Sequence, residues 1–148
     1  MNKSWQFVAL LALLCSACTH KPLTVTVTAS ACKSFALSGV GTLIARLEIR
    51  ELGSEAIATT WFSFAGTDLI SVTSSVKLFR YDTSNLLELT SKDADFDLDP
   101  ASEKSITTDT TKETRRRCAS TTVSATGFDV NGNEKTSSGT IQVCERAQ

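Results

Sequence analysis

The chain has 148 residues, with 41% hydrophobic and 21% charged side chains and a formal net charge of −1. That balance lacks the basic excess a nucleic-acid-binding face demands, and it is too hydrophobic for a disordered chain. Thr and Ser together supply 39 residues, Gly 7 and Pro 2, a bias toward sheet because the β-branched Thr suits a pleated strand.

Lys3 precedes the apolar run Phe7–Leu14, which ends in the small residues Cys15-Ser16-Ala17-Cys18. A charged start, a short apolar stretch and a small-residue cleavage site predict a cleaved signal over 1–17. The run is too short for a membrane span, which takes roughly 20 residues. Cys15-Ser16-Ala17-Cys18 resembles the lipobox of bacterial lipoproteins, with Cys15 where Leu is commonest. The resemblance implies lipidation at Cys18, with diacylglycerol on the sulfur and an acyl chain such as palmitate on the amine. Two or more such chains make a stable membrane anchor. Thr19 stands where inner-membrane retention would place Asp, so the same resemblance implies the outer membrane, facing the periplasm. Plain secretion is the alternative.

Residues 18–22 read as a tether and 23–148 as one domain, too short to be two. Leu23, Val25, Val27 and Ala29 alternate with Thr24, Thr26 and Thr28, which predicts a half-buried strand. Residues 30–41, with Gly39 and Gly41, read as a loop. Leu43, Ala45, Leu47 and Ile49 alternate with Ile44, Arg46, Glu48 and Arg50 in a second strand. Trp61-Phe62-Ser63-Phe64 is apolar on both faces, so 56–65 is placed centrally in a sheet. Residues 69–81 are long enough for two strands kinked at Ser74-Ser75. A turn over Asp82-Thr83-Ser84-Asn85 leads to a short strand at 86–89. Pro100 closes an acidic stretch, and Ile106 marks a polar strand at 103–110.

The last hairpin, 116–129 against 133–145, carries its own arithmetic. A three-residue loop, Val130-Asn131-Gly132, makes paired numbers sum to 262 and sets Cys118 opposite Cys144. That loop wants a left-handed third residue, and Gly132 supplies it. Disulfides persist outside the cytosol, so Cys118–Cys144 is the expected bridge, with Cys32 left over. With no helical period past residue 17, the strands predict an all-β, immunoglobulin-like two-sheet antiparallel sandwich of seven to nine strands, without helix in the mature domain.

Asp93, Asp95, Asp97 and Asp99 share the D-x-D-x-D opening of an EF-hand calcium loop, but Leu98 takes its Gly position and Lys104 its Glu position. They read as the solvated face of a strand whose Phe96 and Leu98 point inward, and as calcium candidates only. Arg115, Arg116 and Arg117 read as a charged strand edge that deters aggregation, or as a surface for a partner. His20, the one histidine, lies in the tether, which leaves no histidine triad and no activating base for Cys32. The expectation is a non-enzyme without cofactor.

Val76–Asp82, Leu86-Leu87 and Leu98–Glu103 together resemble the FxLYD-type immunoglobulin-like domains of bacterial surface proteins, with Leu78 for the Phe and Arg80 for the Leu. Leu23–Ser30 and Val123–Phe128 resemble the outer-membrane lipoprotein of type VI secretion machines. The first implies a lipid-anchored interaction module of the cell envelope, with an envelope protein as partner. The second implies the tether of a secretion machine. A surface inhibitor or exclusion factor is the third reading.

Overall fold

The computed structural model describes residues 24–147; the expected signal over 1–17, the expected lipidation at Cys18 and the expected tether over 18–22 lie outside the described residues. Eight strands follow: β1 (Val25–Leu37), β2 (Gly41–Leu52), β3 (Glu55–Gly66), β4 (Ile70–Asp82), β5 (Asn85–Leu98), β6 (Glu103–Thr107), β7 (Arg117–Phe128) and β8 (Glu134–Cys144). They form two antiparallel sheets, ordered β1-β2-β3-β6 and β5-β4-β7-β8, with no helix among the described residues. The predicted all-β two-sheet sandwich is the observed one. Its layering is that of immunoglobulin domains, but its strand order is not. Here β1, β2 and β3 are consecutive hairpin partners, where an immunoglobulin sheet sets its fifth strand beside its second.

Alternation along the strands builds the core. Leu43, Ala45, Leu47 and Ile49 of β2 are all fully buried, as are Val76 and Leu78 of β4. Each fully buried Leu contributes about 2 kcal/mol. As predicted, β3 runs inside its sheet, between β2 and β6. Its Phe62 meets Phe96 of β5 edge to face at 5.3 Å, and the buried Thr60 and Thr121 hydroxyls bond each other at 2.6 Å across the two sheets. Those hydroxyls are paired inside the core rather than left unsatisfied.

Readings of four strands need correction. The β1–β2 register slips between Val27 and Ala29, so Thr28 is an extra residue and the faces reverse there. Val25 and Val27 consequently point outward, 42% and 47% exposed. Past the bulge the strand continues through the segment read as a loop, burying Phe35 and Leu37, and the turn occupies only 38–40. Residues 30–34 hid this because an edge strand needs its ladder bonds but little apolar burial.

Secondly, β4 is one strand without a kink: Ser74 is buried and its hydroxyl donates to the Thr122 carbonyl at 2.8 Å. Thirdly, β5 joins the two short segments expected at 86–89 and 93–99 into one strand. A register slip opposite Leu78 and Phe79 absorbs its extra residue. In β6, Ile106 is buried as expected, but the strand stops at Thr107. There the Thr108 hydroxyl accepts the Ala58 N–H in place of a ladder carbonyl.

The final hairpin has the predicted register, from Phe128 opposite Glu134 to Cys118 opposite Cys144. Gly132 sits at φ 77° in the third loop position, and the two cysteines are disulfide-bonded.

Candidate functional site

The sandwich has two chemically different ends. At the end where β1 begins, β2 finishes and β7 begins, alternation points Glu51 and Arg117 inward from opposite sheets. Arg117 is 5% exposed. Its Nε and Nη2 donate to the two carboxylate oxygens of Glu145, each at 2.9 Å, and Nη1 donates to the Glu113 carbonyl at 2.9 Å. Nη2 also pairs with Glu51. Burial alone would raise the Glu145 carboxyl. Bonds from the Arg117 side chain, the Thr28 hydroxyl and the Arg117 N–H outweigh it and hold the carboxyl below the ordinary carboxylate value.

The basic run is therefore not one surface. Arg117 is committed to this network. Arg116 is half-buried, its guanidinium lying over the Tyr81 ring at 4.4 Å while Nε donates to the Glu145 carbonyl at 2.7 Å. Only Arg115 is exposed, so it is the member of the three positioned to meet a partner. The pattern could have shown this: counting back by twos from the buried Ala119 puts Arg117 inside. Its partners Glu51 and Glu145 lie 66 and 28 positions away, beyond what spacing reveals.

Asp93, Asp95, Asp97 and Asp99 are exposed, with Leu98 buried and Phe96 half-buried on the opposite face, as predicted. Along a strand, alternate residues stand roughly 6.7 Å apart, whereas calcium needs oxygens converging at about 2.4 Å. Among the described residues no group of three acidic, histidine or cysteine side chains is gathered to hold a metal. The aspartates instead border a polar face. Asp97 aligns with Ser71 and Thr126, Asp95 with Thr73 and Ser124, and Asp93 with Ser75 and Thr122. An open groove of about 550 Å³ runs there, lined by Thr73, Ser75, Thr122, Asp93 and Asp95 among others. Cys32 is exposed and free on the outer face of the other sheet.

The opposite, distal end gathers the β1–β2 turn and the β7–β8 hairpin. There Gly127 packs so close to Val40 that a Cβ would come within 2.8 Å of its side chain. Asp129 stiffens the hairpin loop: its Oδ1 accepts the Asn131 and Asn133 N–H groups, each at 2.9 Å. The Asn133 N–H contributes most to holding the Asp129 carboxyl below its ordinary value. Val130, 93% exposed, stands on this braced loop, and Phe128, 60% exposed, ends the β7 strand that enters it. Leu69 at 44% exposure lies two residues beyond Ser71, as Phe128 lies two beyond its partner Thr126. Reading the sequence for charge and catalysis missed this trio, although Phe128-Asp129-Val130 flanking a turn was its signal.

Compared with family models, curated proteins and solved structures, the chain gives no match.

Proposed function

We propose that the chain is a non-enzymatic, lipid-anchored interaction module of the bacterial cell envelope. In this reading Cys18 holds it to the outer membrane on the periplasmic side, and the distal end binds an envelope protein. The observation that carries the reading is the position of Leu69, Phe128 and Val130, at the end remote from the start of β1. The 13 residues of β1 span on the order of 40 Å, so an anchored domain would present these side chains well clear of the lipid. An exposed aromatic at the end of a strand, beside a rigid loop, is the kind of anchor that dominates protein interfaces. Anchoring adds effective concentration, so modest contacts suffice.

The test is photo-crosslinking in living cells with a reactive amino acid at position 130, 128 or 115. Capture of one and the same protein from 128 and 130, lost from 128 on Val130→Ser and from 130 on Phe128→Ser, supports the reading. Capture from 115 alone moves the interface to the other end and overturns it. In the same cells Cys18→Ser should leave the membrane fraction; a normally processed variant that stays there sinks the anchor.

A further inference from the structure

We infer that the tether end of the sandwich docks onto the bilayer surface through two exposed apolar corners, so the domain stands upright instead of swinging on its anchor. The inference rests on the anchored reading above. Among the described residues, four large apolar side chains are exposed at this end: Val25 (42%) and Val27 (47%) on β1, Leu86 (39%) and Leu87 (48%) on the β4–β5 hairpin.

Their common level follows from the pairing. Thr26 is opposite Glu51, whose carboxylate pairs with Arg117. Arg117 is opposite Arg80, and Arg80 is opposite Leu87. Since β1 and β5 are edge strands of different sheets, the valines and leucines occupy separate corners of one end. Two separated contacts resist rocking where one would act as a pivot.

The chain leaving this end identifies the occupant. Val25 lies seven positions after Cys18, a reach of at most about 25 Å when fully extended. An acylated Cys18 therefore keeps this end, and not the distal one, within reach of the headgroups. The exposed Lys112, Arg115 and Arg146 lie in the loop before β7 and the segment after β8, at the same end, and among the described residues no carboxylate stands within ion-pair distance of them. Basic side chains beside apolar ones suit the interface of an anionic bilayer. The turn that produces Val25 and Val27 as a surface is the Thr28 bulge; without it both valines would face the core.

The test uses the processed lipoprotein in vesicles of phosphatidylethanolamine and phosphatidylglycerol. A polarity-sensitive dye is attached at Val25→Cys, Leu87→Cys or Val130→Cys, each with Cys32→Ser. Nitroxide lipids labelled at headgroup depth should quench the dye at 25 and 87 several-fold more than at 130. Leu86→Asp with Leu87→Asp should release the dye at 25 as well. Equal quenching at all three positions overturns docking, as does a dye at 87 that is shielded equally in detergent, which would mean a second copy covers it. A parallel chain with hexahistidine replacing residues 1–17 and Cys18→Ser is held on nickel-chelating lipid. It reads docking separately from acylation, which the mass of the N-terminal peptide reports.

Discussion

The Arg117 guanidinium grips the Glu145 carboxylate with two parallel bonds, Nε to Oε1 and Nη2 to Oε2, both at 2.9 Å. This fork ties the start of β7 to the segment just past β8, one residue beyond the disulfide. A buried guanidinium so matched is expensive to disrupt, because removing one member strands the other's charge. Arg117→Ala should cost about 3 kcal/mol, the low end for a buried pair, because Glu51 is 42% exposed and can turn to water. Arg117→Lys should recover little, since an ammonium cannot make the fork. Urea unfolding of the three proteins measures both.

Acid should dissolve the same network. The Glu145 carboxyl lies below its ordinary value of 4.5 when folded, so the unfolded chain takes up the proton first. Its contribution is complete above that ordinary value and is lost as pH falls through the lower folded one. Glu113 and Asp129 are shifted the same way, by the Arg115 and Asn133 N–H groups respectively. Melting temperature should hold steady through neutral pH and fall steeply below the ordinary carboxylate range. Glu145→Gln should start lower at neutral pH and show a shallower acid limb; parallel limbs would remove Glu145 from the account.

Reduction should be nearly as damaging as loss of the fork. The bridge spans a sequence separation of 26, for which chain entropy gives about 3.5 kcal/mol as an upper figure. Cys118→Ala with Cys144→Ala should lower the melting temperature by on the order of 10 °C. Peptide mapping without reduction checks the pairing directly: Cys32 bonded to either partner would contradict the hairpin register.

Gly132 offers a clean test of backbone strain. It holds φ 77°, and a Cβ there meets nothing within 4 Å. Gly132→Val should therefore cost about 1–2 kcal/mol through conformation alone, and Gly132→Asn clearly less, because Asn tolerates the left-handed region. Thermal unfolding of the two variants ranks them.

How legible all this was in the sequence depends on range. The β7–β8 register could be derived because turn chemistry, alternation and a cysteine pair constrain the same few residues. The rest of the layering followed from period-2 patterns such as Leu43 to Ile49. What stayed hidden needed information from a partner strand. The bulge at Thr28 is set by β2, the continuity of β4 through Ser74 by a carbonyl on β7, and the burial of Arg117 by carboxylates on two other elements. The exposed distal trio was overlooked for a different reason. Apolar residues beside a turn look like strand ends, and only the three-dimensional packing separates those that are covered from those that are not.

The direction of β1 has a mechanical consequence. It is an edge strand, antiparallel to β2 along nearly its whole length, and it begins at the tether end. If the proposed anchor holds one end and a partner grips the other, tension would act along the strand axis, at right angles to the ladder hydrogen bonds. The whole β1–β2 ladder then carries the load in shear, so rupture requires many bonds to fail together. A pull across the sheet would instead peel them one at a time. An anchor placed after β8 would load a different ladder, β7–β8, and would draw directly on the covalent clamp at Cys118–Cys144.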